Sequence, residues 1–478
     1  MLIGRENERK RLKDLLETDK SEFVAVYGRR RIGKTFLIRE SFDYKFAFEH
    51  TGLRNGGFKK QLKAFRDKLV KCGHRGCPNL KDWSAAFTRL GELLEKKPAG
   101  KKVVFIDECP WLDTPRSGFL DELDHFWNDW CTMRKDIVLV ICGSAASWIV
   151  DKVIDNYGGL HNRLTRQVYL RPFTLHECED LVRAKGIVFN RRQILECYMI
   201  MGGVPYYWDL LDKSLGLAQN IDALFFRQKG ELGEEYDHLY ASLFRNPDPY
   251  FKVISALGKR RYGLTRDEIV AATKIPSSGN LTKVLRALVQ CDFIRAYSLP
   301  GKAVRDCIYQ IVDNFTIFHQ RFLRDKANRM ENFWSTAENT QPVRIWCGLA
   351  FERVALQHED QIKRKLGISG VVTRTYGWRH LVGEGEGGEG AQVDLVLDRN
   401  DRVVNICEVK YRRGEEQYAI SDDEDRNLMN KREAYIRDTG TTAAVHLTMV
   451  TVNGVKHNAA WNDIQSEVTL DDLFKEQT

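Results

Sequence analysis

Gly28-Arg-Arg-Arg-Ile-Gly33-Lys34-Thr35 sets two glycines, a lysine and a threonine at the spacing G-x-x-x-x-G-K-T. The glycines let backbone N–H groups curl around phosphate oxygens, and a helix starting behind them adds a positive partial charge. Lys34 is then expected to reach the β- and γ-phosphates of ATP, and Thr35 to hold Mg²⁺. A second apolar run ends in Asp107-Glu108. A carboxylate there suits Mg²⁺, usually through water, and the next acid can orient and deprotonate the attacking water. The plain alternative is an N-cap after a strand. A third run ends in Gly143-Ser144, where a polar tip can sense the γ-phosphate.

A second constellation lies far downstream. Gln392 to Tyr411 reads QVDLVLDRNDRVVNICEVKY, two apolar runs around a polar turn, which predicts a β-hairpin. Ionised groups are rare in buried strands because desolvation is costly, yet Asp394, Glu408 and Lys410 interrupt the apolar residues. Glu408 and Lys410 are two apart, hence on one face, and an antiparallel partner can bring Asp394 beside them. Two carboxylates on one face make an Mg²⁺ site, and a neighbouring lysine can steady or activate a water. A hairpin with polar residues on its exposed face is the plain alternative.

The elements that must position these residues follow from the pattern. Phe23–Tyr27, Lys102–Ile106 and Ile137–Cys142 read as strands, and the residues from Phe36 to Glu40 as a helix. Trp346 to Leu356 reads as a mostly apolar helix with Glu352 inside it. Between the two ends, Tyr250–Leu257, a stretch starting at Leu264, and the face Leu281, Val284, Leu285, Leu288 mark three helices. The second carries a capping box, Thr265 with Glu268. Phe293–Arg295 and Cys307–Tyr309, around Pro300-Gly301, look like wing strands, so this middle region is expected to be a winged helix. Ser277, Ser278, Asn280, Thr282, Lys283 and Arg286 would decorate its third helix, where groove contacts are usually made.

Composition bounds the rest. The chain has 478 residues, 43% hydrophobic and 29% charged, the mix of a soluble protein of about three domains. No apolar run approaches a membrane helix, and no membrane partner is expected. Eleven scattered cysteines imply reduced thiols and a cytoplasmic setting. Cys72-Gly-His-Arg-Gly-Cys77 lacks a second ligand pair at zinc-finger spacing and reads mainly as a loop. Net charge is +8, and Phe251 to Met330 holds fifteen Lys and Arg against six Asp and Glu. A localised basic block points to a polyanion, with a solvated face as the alternative.

The N-terminal residues Gly4-Arg5-Glu6, the P-loop, Asp107-Glu108 and Gly143-Ser144 resemble the AAA+-like ATPases of the STAND group, in particular the archaeal and bacterial family with a "DEXX-box" second motif. The resemblance continues through Gly159-Leu-His-Asn-Arg163-Leu-Thr-Arg166, then Arg171-Pro172-Phe173 and Gly202-Gly203-Val204-Pro205-Tyr206. It implies that Gly4 and Arg5 lie in a segment that wraps adenine and that Pro205 belongs to a GGxP turn in a helical lid. It implies a γ-phosphate contact from Arg163, with Arg166 second, in cis or from a neighbouring copy, which leaves a homo-oligomer open. A surface salt-bridge partner and a simple helix break are the plain alternatives. No lid arginine of the standard AAA+ kind is found, which favours switching over motor action.

Glu352, Asp394 and the E-x-K of Glu408 and Lys410 resemble the PD-(D/E)XK nuclease fold, with Val393 where the name has proline. That resemblance implies metal ligands at Glu352, Asp394 and Glu408. The expected architecture is multidomain α/β: a P-loop NTPase over residues 1–172 with a helical lid over 173–245, a winged helix and connector over 246–330, and a restriction-endonuclease-like domain over 331–478. The expected function is an ATP- and Mg²⁺-dependent switch coupled to a nucleic-acid-binding nuclease, DNA before RNA. The rivals are a non-cleaving ATP-dependent regulator or scaffold, and an ATPase that only binds DNA.

Overall fold

A computed structural model describes residues 2–144, 146–155, 163–244, 246–298, 307–324, 330–380 and 390–476. The expected wing tip at Pro300-Gly301, Gly159 to Asn162, and the glycine-rich run from Gly383 up to residue 389 lie outside the described residues. The chain divides into two units, residues 1–172 and 173–478.

The first unit includes α1 (Glu6–Lys13), β1 (Glu22–Gly28), α2 (Lys34–Ser41), β2 (Phe48–Thr51), α3 (Phe58–Lys71), α4 (Trp83–Glu95), β3 (Lys102–Asp107), β4 (Ile137–Gly143) and β5 (Arg166–Leu170). Its strands form one parallel sheet in the order β2-β3-β4-β1-β5. β3 and β4 are buried at every residue, which is why they read as unbroken apolar runs rather than alternating ones. Side chains still alternate between faces. Phe23, Ala25, Val104, Ile106, Leu139 and Ile141 pack with Phe65, Trp83 and Leu90 of α3 and α4. Their sequence neighbours Val24, Val26, Phe105 and Val140 pack with Leu12, Leu37 and Ile38 of α1 and α2. Both faces are therefore covered, and only the strand ends are free for chemistry.

The second unit opens with α5 (Leu175–Ala184), α6 (Arg191–Met201) and α7 (Pro205–Asp209). Capping boxes at Thr174 and Asn190 start the first two. Next come α8 (Asp248–Leu257), β6 (Leu264–Thr265), α9 (Arg266–Thr273), α10 (Gly279–Gln290), β7 (Ile294–Tyr297) and β8 (Ile308–Ile311), with the antiparallel order β6-β8-β7. The Thr265–Glu268 capping box is present at the start of α9. The last part holds α11 (Gln341–Gln357), β9 (Thr373–His380), β10 (Ala391–Arg399), β11 (Val403–Lys410), α12 (Asp422–Thr439), β12 (Ala444–Thr451) and β13 (Ser466–Val468). β9, β10 and β11 form an antiparallel meander, and β11, β12 and β13 continue it in parallel, with α12 as the crossover.

His358, just past α11, ties that helix to α5. Its Nδ1 lies 2.8 Å from the Val354 carbonyl, and its Nε2 accepts from the Leu175 N–H at 3.0 Å. The two bonds fix the neutral tautomer with the proton on Nδ1. Full burial pushes the imidazole down from 6.5 to about 4. The folded pKa lies below the unfolded one, so this stability is intact above pH 6.5 and is lost as pH falls toward 4. His358 alone should cost the protein about 2 kcal/mol between pH 7 and pH 5. Urea unfolding at the two pH values checks this. His358→Asn should be less stable at pH 7 and should lose less on acidification; an unchanged loss would contradict it.

Candidate functional site

The tips of β1, β3 and β4 bring the first constellation together. Gly28 has φ +142°, and a Cβ on it would stand 2.3 Å from the Leu170 carbonyl oxygen, so only glycine fits. Gly33, at φ +84° before α2, has nothing among the described residues within 4 Å of where its Cβ would be. That leaves open space over the first N–H groups of the helix, where phosphate oxygens are stabilised. The buried Lys34 ammonium donates to the carbonyls of Gly28 at 3.0 Å and Arg29 at 2.7 Å. Thr35 Oγ1 donates to Asp107 Oδ2 at 2.9 Å, so a hydroxyl and a carboxylate suited to Mg²⁺ already touch. These donors fit the ion.

Glu108 follows in the left-handed region, φ 49°. Its backbone N–H donates to Asp107 Oδ1 at 2.9 Å. Its two carboxylate oxygens lie 2.8 and 2.9 Å from Ser144 Oγ, and the Ser144 N–H adds a contact at 3.3 Å. The base candidate and the sensor candidate thus hold each other. Glu108→Gln should retain ATP binding and lower turnover by roughly a hundredfold or more, because an amide cannot accept the water's proton. Steady-state phosphate release checks this, and wild-type turnover would remove Glu108 as the base.

Other first-unit candidates are arranged differently. Gly4 and Arg5 both have positive φ, 61° and 67°. Arg5 Nη2 donates to the Arg171 carbonyl at 2.5 Å, which fastens this segment to the end of β5. Arg163 is exposed in the turn before β5, and Arg166 is the first residue of that strand. Arg166 pairs with Val24, whereas Leu170 pairs with Gly28. Both arginines therefore lie toward the sheet edge opposite the P-loop, with Arg166 about 13 Å down the strand. In this register neither arginine starts beside the P-loop tip. The strand length separating these arginines from the tip is invisible without the register.

Pro205 is the first residue of α7, in the second unit. A Cβ on Gly203 would stand 1.9 Å from the Phe173 carbonyl oxygen, and Phe173 N–H donates to Gly203 O at 2.6 Å. The turn thus has a packing reason of its own.

The second constellation also assembles. The register of β10 against β11 pairs Leu395 with Cys407, and its continuation sets Asp394 opposite Glu408. On its other side β10 shifts register against β9 between Val393 and Val396. A bulge of this kind re-aims side chains. Gln392 Nε2 donates to Asp394 Oδ1 at 2.8 Å. Lys410 Nζ lies 3.1 Å from Glu408 Oε1, and Lys431 of α12 donates to Glu408 Oε2 at 2.6 Å. Glu352 reaches the same place from α11. Arg261 bridges it to Asp394, with Nη2 2.5 Å from Glu352 Oε1 and 3.2 Å from Asp394 Oδ2. Burial first, then the Asp394 charge, push Glu352 up to about 7. Burial works against the Lys410 ammonium, but the charge and hydrogen bond of Glu408 hold it above its ordinary range.

Asp394, Glu408, Lys410, Lys431 and Arg261 line one cavity of about 440 Å³. Among the described residues, no three His, Cys, Asp or Glu stand grouped to hold a metal ion as they are. The carboxylates face cationic side chains instead. The charge of the donor set fits a divalent ion; the present geometry has Arg261 and Lys431 on its oxygens.

Arg261 and Lys431 escape sequence reasoning. Lys259-Arg260-Arg261 reads as a solvated basic turn, and nothing local says what it meets. Lys431 left a signal: it falls three residues after Leu428 and four before Tyr435, both buried, so it shares their helix face. In the middle region, Ser277, Ser278, Asn280, Thr282, Lys283 and Arg286 are all exposed, while Leu281, Val284, Leu285 and Leu288 are buried.

A five-stranded parallel sheet with a P-loop after β1, an acidic pair after β3 and β4 between them is the arrangement of a P-loop nucleotide-binding domain. Residues 2–211 match the family described as an ATPase domain predominantly from Archaea. An uncharacterized protein of Methanocaldococcus jannaschii is 25% identical over 428 residues, covering 86% of this chain and 88% of that protein. The Walker-type ATPase of Pyrococcus abyssi aligns at a TM-score of 0.48 with 19% identity, over 66% of this chain and 95% of that one. The ORC2 protein of Aeropyrum pernix aligns at 0.40 with 13% identity, over 67% and 94%. Structural likenesses this distant carry no function across. Among the described residues no helix is long and apolar enough to cross a membrane.

Proposed function

We propose that this ATPase is a nucleotide-driven switch whose second unit carries a Mg²⁺-dependent nuclease centre and a winged helix that binds nucleic acid, DNA before RNA. The observation that carries the reading is the meeting of Asp394, Glu408 and Lys410, from two strands, at one cavity, with Glu352 of α11 joined to Asp394 through Arg261. In this reading residues 173–245 are the lid, 246–330 the winged helix and connector, and 331–478 the nuclease-like domain.

In the ATPase site Lys34 leaves the loop carbonyls for the β- and γ-phosphates, Thr35 and Asp107 hold the ion, and Glu108 takes the proton of the attacking water. Gly4 and Arg5 border the adenine, and an arginine such as Arg163 acts from a neighbouring copy. In the second centre Asp394 and Glu408 are the metal ligands, with Glu352 beside them. A bound divalent ion supplies Lewis acidity and lowers the pKa of its water. Lys410, held charged, donates to the water and to developing negative charge rather than taking a proton. Glu196 of α6 accepts from the Tyr411 hydroxyl at 2.9 Å, one residue past Lys410, which supports a link from lid to centre.

The second reading is a non-cleaving regulator, favoured by the cations that already neutralise the acids. DNA and RNA, single- and double-stranded, incubated with Mg²⁺ or Mn²⁺ and with or without ATP, separate the two. Metal-dependent cleavage supports the nuclease; nucleic-acid binding without cleavage under every condition supports the regulator.

A further inference from the structure

Arg261 belongs to the turn between α8 and β6, not to the α/β part that carries the acids. Its backbone is fixed there. The Arg261 carbonyl accepts from Gln310 Nε2 of β8 at 2.9 Å. Gly263, two residues on, has φ +78°, and a Cβ would meet the Tyr309 carbonyl oxygen at 2.3 Å. From this anchored turn the guanidinium crosses to the neighbouring sheet and takes both Glu352 oxygens, through Nε at 3.3 Å and Nη2 at 2.5 Å, and Asp394 Oδ2 at 3.2 Å. Glu352 and Asp394 are 13% and 17% exposed, so two like charges share a largely desolvated place. Such a pair needs a counter-charge.

We propose that Arg261 is an internal latch that occupies the carboxylates in place of a divalent ion, so that the centre binds metal only when the α8–β6 turn withdraws. The inference rests on the reading of this cavity as a metal centre. A guanidinium and a divalent ion compete for the same carboxylate oxygens. Apparent metal affinity therefore falls by the fraction of time the latch is open. The latch sits on the module that bears the exposed Lys283 and Arg286, so movement of that module and access of metal are joined mechanically.

The test is Mn²⁺ binding to the full chain without nucleotide, followed by electron paramagnetic resonance, for wild type, Arg261→Ala, Arg261→Gln and Arg261→Ala/Asp394→Ala. Arg261→Gln keeps much of the side chain's bulk without its charge, and thermal melting checks that each variant folds. The expected result is at least tenfold tighter Mn²⁺ binding in both single variants, lost in the double variant. Equal, Asp394-dependent affinity in wild type and both single variants would overturn the latch and leave the centre standing. No Asp394-dependent Mn²⁺ binding in any variant would overturn the centre and the latch with it.

Discussion

Lys34→Ala is expected to weaken ATP binding by about a hundredfold or more. Lys34 is 6% exposed, and its ammonium donates to two loop carbonyls. In the proposed site it sits, already desolvated, where the β- and γ-phosphates would arrive, and would exchange neutral acceptors for charged ones. A hydrogen bond to a charged group contributes roughly 1.5–3 kcal/mol, and two phosphates are involved. Alanine also frees the Gly28 and Arg29 carbonyls to face the phosphates and repel them. Calorimetry with a non-hydrolysable ATP analogue reads the effect directly. Unchanged affinity would mean that this loop does not cradle phosphate.

The second large effect is expected at Lys410. Lys410→Ala should lower metal-dependent cleavage by roughly a hundredfold to a thousandfold, the cost of removing one preorganised donor near a developing charge. Metal affinity should not fall, because Lys410 ligates nothing and only donates to Glu408. Asp394→Ala should do the opposite to affinity, since it removes a ligand. It should not destabilise the fold greatly, because it also removes the Asp394 charge that, after burial, raises Glu352. Cleavage across a Mg²⁺ titration separates the two variants: one lowers the plateau, the other moves the midpoint. Equal curves for wild type and both variants would reduce the hairpin to scaffold.

What the sequence made legible follows from periodicity. The buried strands β3 and β4 read as continuous apolar runs; β3 ends on Asp107 and β4 is followed at once by Ser144, at the same end of the sheet. The hairpin was legible because Asp394, Glu408 and Lys410 break an apolar alternation, and the Thr265–Glu268 cap because its signal is four residues long. Periodicity says which face a residue occupies but not which distant element arrives there. Arg261 reaches Asp394 across 133 residues of sequence, so no local pattern announces it. For the same reason the position of Arg163 needed the β1–β5 register, and the role of Gly203 needed the Phe173 backbone beside it.

We propose two sites in one chain, one that turns over nucleotide and one that acts on nucleic acid under its control. The measurement that tests this most directly is the rate of Mg²⁺-dependent DNA cleavage by wild type and Glu108→Gln, each with and without ATP. Glu108→Gln holds ATP without spending it, so its cleavage rate should differ at least about tenfold between the two conditions, a coupling of about 1.4 kcal/mol. Wild type should fall back to its ATP-free rate as ATP is consumed. Cleavage that ignores ATP in both proteins, or no cleavage in either, would contradict the account.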